Sequence, residues 1–179
     1  MTAGKFFRAA LTGLSTLACL AHAAADDSIR GRITSIVDGD TITIVDEAKA
    51  THRIDLHGID APESGQNFGA KSTANLNRLA SGKTVRADCV KRGRRDTKLC
   101  TVWTYPADCT ACGYTLDLGL MQVLQGYAWH FKYSESAQSA QMQAQYSVAE
   151  LEAKSKKAGL WAEASPIAPW VWRKSATAR

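Results

Sequence analysis

The chain has 179 residues, with 22 Lys and Arg against 17 Asp and Glu, a formal net charge of +5. That length holds one domain with a real core, and neither a repeat nor a linker marks off a second. So mild a basic balance suits a polyanionic partner without demanding one.

The N-terminus reads as a secretory signal. Lys5 and Arg8 form a positive start, and Ala9 to Leu20 is an apolar run too short to anchor stably across a bilayer. Small residues for cleavage follow, between Ala23 and Ala25. Removing residues 1–25 takes two positive charges and no negative ones, lowering +5 to +3 and leaving residues 26–179 as one domain. No later stretch is long and apolar enough to span a membrane, so the expected product is exported, periplasmic or secreted, without a membrane anchor. It is expected to act as a monomer.

Strands are predicted over Ile29 to Val37, Thr41 to Val45 and Thr51 to His57 from period-two alternation. On the third, Ile54 and Leu56 share one face while Arg53, Asp55 and His57 share the other. A helix follows over Phe68 to Ala80, ended by Ser81-Gly82. Lys83 to Val90 and Leu99 to Tyr105 read as strands four and five, joined by a basic turn, Lys91 to Lys98. Pro106 to Tyr114 is a Cys-containing loop, Leu116 to Gln125 a short helix closed by Gly126, and Ser136 to Ala158 a longer helix ended by Gly159. The tail, with Pro166, Pro169, Trp170 and Trp172, is expected to pack across the surface. Four cysteines follow the signal. In an exported chain they suggest disulfides, Cys89 with Cys100 across a hairpin and Cys109 with Cys112 within a small loop. A four-cysteine zinc site is the alternative that the spacing leaves open.

The stretch from Val37 to Gln66 carries the chemistry. Asp38, Asp40, Asp55, Asp60 and Glu63 lie on two short strands and the loop after them. If they converge, they repel one another unless a proton or a cation compensates. An all-oxygen donor set suits Ca²⁺ or Mg²⁺ better than Zn²⁺ or Cu²⁺. Taken singly, Asp38-Gly39-Asp40 is an ordinary turn and Asp60 to Glu63 a solvated loop. Their combination between apolar strands favours a site.

The motifs D-G-D-T-I-T-I and L-H-G-I-D-A-P-E-S-G-Q-x-F-G-A-K-S, in this order, resemble the staphylococcal nuclease (thermonuclease) family. The likeness continues in G-Y-A-W-H-F-K-Y-S from Gly126, in K-K-A-G-L-W from Lys156 and in the P-W-V-W-R tail from Pro169. It implies an α+β, mainly β fold: a five-stranded OB-type barrel with about three helices. Pattern alone does not separate that barrel from another α+β sheet.

The resemblance also implies a reaction, the hydrolysis of phosphodiester bonds in DNA or RNA with Ca²⁺ as cofactor. Asp40 and Asp60 match the metal-ligating aspartates, with the backbone carbonyl of Ala61 as a third donor. Asp38 matches an outer carboxylate, Thr41 supports the loop, and Glu63 matches the general base that activates water. The two family arginines are not matched: their positions hold Asp55 and Thr97. Arg53 and Lys98 are the nearest substitutes, with Arg94 and Arg95 as further nucleic-acid contacts. Lys lacks the bidentate fork of Arg. Cationic clamping of a phosphoryl transition state is worth ~10³–10⁵ in rate, roughly 4–7 kcal/mol. Two functions therefore stand: an exported metal-dependent nuclease with rearranged cations, or a degenerate OB-fold domain that binds nucleic acid or a partner without significant hydrolysis.

Overall fold

The structure is a computed structural model that describes residues 28–92, 97–133 and 138–177. The secretory signal expected over residues 1–25, and Arg94 and Arg95, lie outside the described residues.

Strands β1 (Ser28–Ile36), β2 (Thr41–Asp46) and β3 (Thr51–Leu56) form an antiparallel meander. Their inward residues Ile33, Ile42, Ile44, Ile54 and Leu56 are buried, as the alternation requires. Full burial of each such side chain favours folding by roughly 1.5–3 kcal/mol. Two further strands complete the barrel, β5 (Thr84–Arg92) and β6 (Lys98–Thr104), after the two-residue β4 (Ile59–Asp60). β5 pairs with both β1 and β6 in antiparallel fashion, and β6 closes the barrel on β3 in parallel, with Ile54 opposite Lys98 and Leu56 opposite Cys100. A register shift between Ile33 and Ser35 bulges β1; such bulges bend a strand and increase its twist.

This is the five-stranded OB-type barrel, with four α-helices among the described residues where about three were expected. Helix α1 (Gly69–Ala80) buries Ser72, Asn75, Leu76 and Leu79, a single helical face. It starts one residue later than the sequence suggests, because Phe68 holds φ 67° and cannot be its first turn. The short strand β7 (Leu116–Asp117) runs straight into α2 (Leu118–Leu124), and the Asp117 carboxylate accepts from the N–H groups of Gly119 and Leu120 as an N-cap. β8 (Trp129–His130) pairs with β4, with Trp129 opposite Asp60. In α3 (Ala140–Ser155), Ser139 caps through the Met142 N–H. The fourth helix, α4 (Pro169–Thr177), is the tail that was expected only to pack. Proline at a first helical position is preorganised for that role, since its φ is helical and its missing N–H costs nothing there.

Cys89 and Cys100 face each other directly in the β5–β6 ladder, and their sulfurs are bonded; Cys109 and Cys112 close their own small loop. All four thiols being paired, the zinc alternative falls. His130 packs on Tyr146, and Trp129 on Trp161 and Trp170, between barrel and helices. No described helix is long and apolar enough to cross a membrane.

Candidate active site

The loop between β1 and β2 organises itself through Asp38, whose Oδ1 accepts the N–H groups of Asp40 (3.1 Å) and Thr41 (2.7 Å). This turn is pressed tightly onto its neighbours. A Cβ at Gly39 would lie 2.0 Å from Ser72 Oγ on α1 and 2.7 Å from Ala61 Cβ, so only glycine fits. Gln122, wholly buried on α2, fastens the turn from beneath by donating to the Gly39 carbonyl at 2.7 Å.

The turn delivers Asp40 to the second motif. Asp40 Oδ2 accepts the Ala61 N–H at 2.6 Å, joining the β1–β2 turn to the segment after β4. Burial, with the charges of Asp38 and Asp60, holds the Asp40 carboxyl well above the ordinary carboxylate range, against the pull of the Ala61 N–H. Of the acids that the sequence brings under suspicion, Asp38 and Asp60 therefore lie near enough to Asp40 for their charges to act on it. Asp60 is buried, while Glu63 is more open.

Asp55 is bound up with two threonines. Thr97 Oγ1 donates to Asp55 Oδ2 at 2.6 Å, and the Thr41 hydroxyl lies 3.2 Å from Asp55 Oδ1 and 3.3 Å from Asp40 Oδ1. Positions 55 and 97, where family arginines were expected, therefore face each other and hydrogen-bond together. Of the expected substitutes, Arg53 is exposed on β3, paired in register with Thr43, and Lys98 opens β6; among the described residues no hydrogen bond or ion pair ties either to the acids.

The cation at the site is one that sequence reasoning missed. Arg173, on α4, grips Asp60 with both ends of its guanidinium, Nη1 to Oδ1 at 2.9 Å and Nη2 to Oδ2 at 2.7 Å. Nη1 also donates to Glu63 Oε1 at 2.8 Å. The hydrogen bonds to Asp60 first, and that to Glu63 next, push the Arg173 guanidinium even further from deprotonation. Because one nitrogen touches both, the Asp60 and Glu63 carboxylates lie within two hydrogen-bond lengths of each other. The tail motif was visible in the sequence, but nothing in its spacing links Arg173 to acids over a hundred positions earlier.

Among the described residues, no group of three or more His, Cys, Asp and Glu side chains stands ready to hold a metal ion. The donors present still suit one kind of ion. An all-oxygen set of carboxylates and backbone carbonyls, completed by water, suits a hard cation, and Asp40, whose charged form burial and its neighbours disfavour, gains from any added positive charge.

Fold and site together define an OB-fold barrel with a carboxylate cluster at its edge and a guanidinium laid across it. Comparison with known proteins gives the lineage. Residues 53–163 match the family described as staphylococcal nuclease homologue. An Escherichia coli O157:H7 protein named "Uncharacterized endonuclease" is 34% identical over 145 residues, covering 81% of this chain and 85% of that protein. A Shigella flexneri protein named "Micrococcal nuclease" is 33% identical over 149 residues, covering 82% and 81%. A further "Uncharacterized endonuclease", from Haemophilus influenzae, is 32% identical over 165 residues, covering 92% and 84%. The chain belongs to the staphylococcal nuclease family.

Proposed function

We propose that the protein is an exported, metal-dependent nuclease that hydrolyses phosphodiester bonds of DNA or RNA, acting as a monomer outside the cytoplasm. The observation that carries this reading is the gathering of Asp40, Asp60 and Glu63, linked by the Ala61 N–H and by Arg173, with the Asp40 carboxyl held above its ordinary range by burial and by its acidic neighbours. The relatives named as nucleases support it.

Asp40 and Asp60, with the Ala61 carbonyl as a further donor, would hold a hard divalent ion such as Ca²⁺. Such an ion, when bound, supplies Lewis acidity and neutralises charge on the phosphate. Glu63, on the open side of Asp60, takes the proton of the attacking water. The water oxygen bonds to phosphorus, the bond to the leaving ester oxygen breaks, and that oxygen takes a proton from solvent. Asp38 and Thr41 act on Asp40: the first fixes its backbone, the second bridges it to Asp55.

A second reading has its own observation. The Asp55–Thr97 pair fills both expected arginine positions without positive charge, which suits a domain that binds nucleic acid or a partner and does not cleave. Digestion of single-stranded DNA and RNA with Ca²⁺, with chelator, and with Glu63→Gln separates the two. The nuclease reading expects cleavage that chelation abolishes and that Glu63→Gln lowers by ~10²–10⁴. Salt-sensitive binding with no turnover in any arm would leave only the binding domain.

A further inference from the structure

We propose that Arg173 is the residue that receives the substrate's phosphate, supplying from the C-terminal helix the positive charge absent from positions 55 and 97. The inference rests on the nuclease reading above and names how that site tolerates an anion. Asp38, Asp40, Asp55, Asp60 and Glu63 together repel a phosphodiester. Arg173 is the cation that the described structure bonds to this group, touching both Asp60 and Glu63.

Its geometry suits a phosphate. The guanidinium fork already holds the two oxygens of Asp60 at 2.7 and 2.9 Å, and the same fork matches two oxygens of a phosphate. The Arg173 side chain keeps 34% of its surface exposed, against 9% for Asp60 and 40% for Glu63, so the guanidinium stands open to an approaching ligand beside the Glu63 carboxylate.

Its placement is built. Three residues before it, and so on the same face of α4, Trp170 packs edge-on against Trp129 with ring centres 5.6 Å apart. Trp129 is the residue opposite Asp60 in the β4–β8 pair. The tail is also tied to the loop that carries Glu63: Gln66 donates to the Ile167 carbonyl at 2.5 Å, and Asn67 to Glu163 at 3.1 Å. Arg173 thus reaches the acids from an element fastened to them at several points. Arg173 closes the P-W-V-W-R motif of the tail, past the stretch, residues 53–163, that the family model matches.

The test uses the full chain and a short fluorescent single-stranded DNA oligonucleotide. Arg173→Ala and Arg173→Lys are assayed for cleavage with Ca²⁺. The same substitutions in a Glu63→Gln background are assayed for binding across a salt series. Arg173→Ala is expected to lower kcat/KM by ~10² or more. In the Glu63→Gln background it should flatten the slope of log affinity against log salt by about 0.7, one phosphate contact on a single strand. Arg173→Lys should keep the slope and lose rate, since it keeps the charge and loses the fork. Added guanidinium ion, far below denaturing concentrations, should restore part of the Arg173→Ala rate and none of the Glu63→Gln rate. A purely structural tie between α4 and the barrel would change thermal stability and leave the salt slope untouched, and that result overturns the proposal. So does faster cleavage by Arg173→Ala, which would make the residue a plug. Should the wild-type chain fail to cleave while the Arg173-dependent slope persists, the nuclease reading falls and the phosphate-binding role stands.

Discussion

Asp117 offers a quantitative check on how the barrel holds the site. Its carboxylate caps α2, accepts the Tyr146 hydroxyl at 2.7 Å, and is buried. Helix α2 carries Gln122, which in turn holds the Gly39 turn. Burial raises the Asp117 pKa from 3.8 to about 6, although Tyr146 and the two capping N–H groups favour the charged form. Between those values the folded state binds more protons than the unfolded state, so stability falls as pH rises. The contribution is fully present below about 3.8 and is lost as pH passes through about 6. At 1.36 kcal/mol per unit, the swing is about 3 kcal/mol. Asp117→Asn keeps the cap acceptor and cannot ionise. Urea unfolding of both proteins from pH 3.5 to pH 7 should show the wild type losing about 3 kcal/mol relative to the variant over that interval. Taking the difference cancels the other carboxylates. A difference that stays flat with pH would refute the idea that Asp117 is forced to ionise in a dry cap.

Two further outcomes follow from the site and the barrel. Asp55→Arg removes the hydrogen bond from Thr97 and sets a cation beside Thr41; it should cost about 2 kcal/mol of stability yet raise kcat/KM on oligonucleotides roughly tenfold. Lower kcat/KM in a folded variant would mean that Asp55 itself serves the chemistry. Replacing Cys89 and Cys100 by serine opens a loop with a sequence separation of 11 and should cost ~2–3 kcal/mol in denaturant unfolding, with kcat unchanged because the backbone ladder that holds Cys100 against β3 beside Asp55 does not depend on the sulfurs.

The barrel's strands were legible because a half-buried strand must alternate, and Ile33, Ile42, Ile44, Ile54 and Leu56 do so. Its closure was not. The parallel pairing of Ile54 with Lys98 joins residues far apart in sequence, and no local pattern encodes a long-range ladder; only resemblance to a family pointed there. The tail shows the opposite failure. Trp170 and Trp172 read as packing groups, and packing is what Trp170 does, but a nine-residue stretch with Pro at its head was also a helix.

The acids were legible because each motif is contiguous. Asp38 and Asp40 flank one glycine, and Asp60 and Glu63 flank one Ala-Pro, so local turn geometry sets each pair and one hydrogen bond, Ala61 N–H to Asp40, joins the pairs. Charge balance is not contiguous. Sequence reasoning sought the cation at Arg53 and Lys98, because these stand close to positions 55 and 97, where the family resemblance places arginines. A folded site is neutralised by whatever the tertiary structure brings within hydrogen-bond reach. Asp55 is engaged by Thr41 and Thr97, whose hydroxyls bring no charge, and the compensating guanidinium arrives from α4. Burying Asp60 beside Asp40 is costly without an opposite charge in contact. In the described structure Arg173 supplies such a charge to the carboxylate cluster proposed to bind a metal, and any cation entering at Asp60 must exchange with a guanidinium already in place.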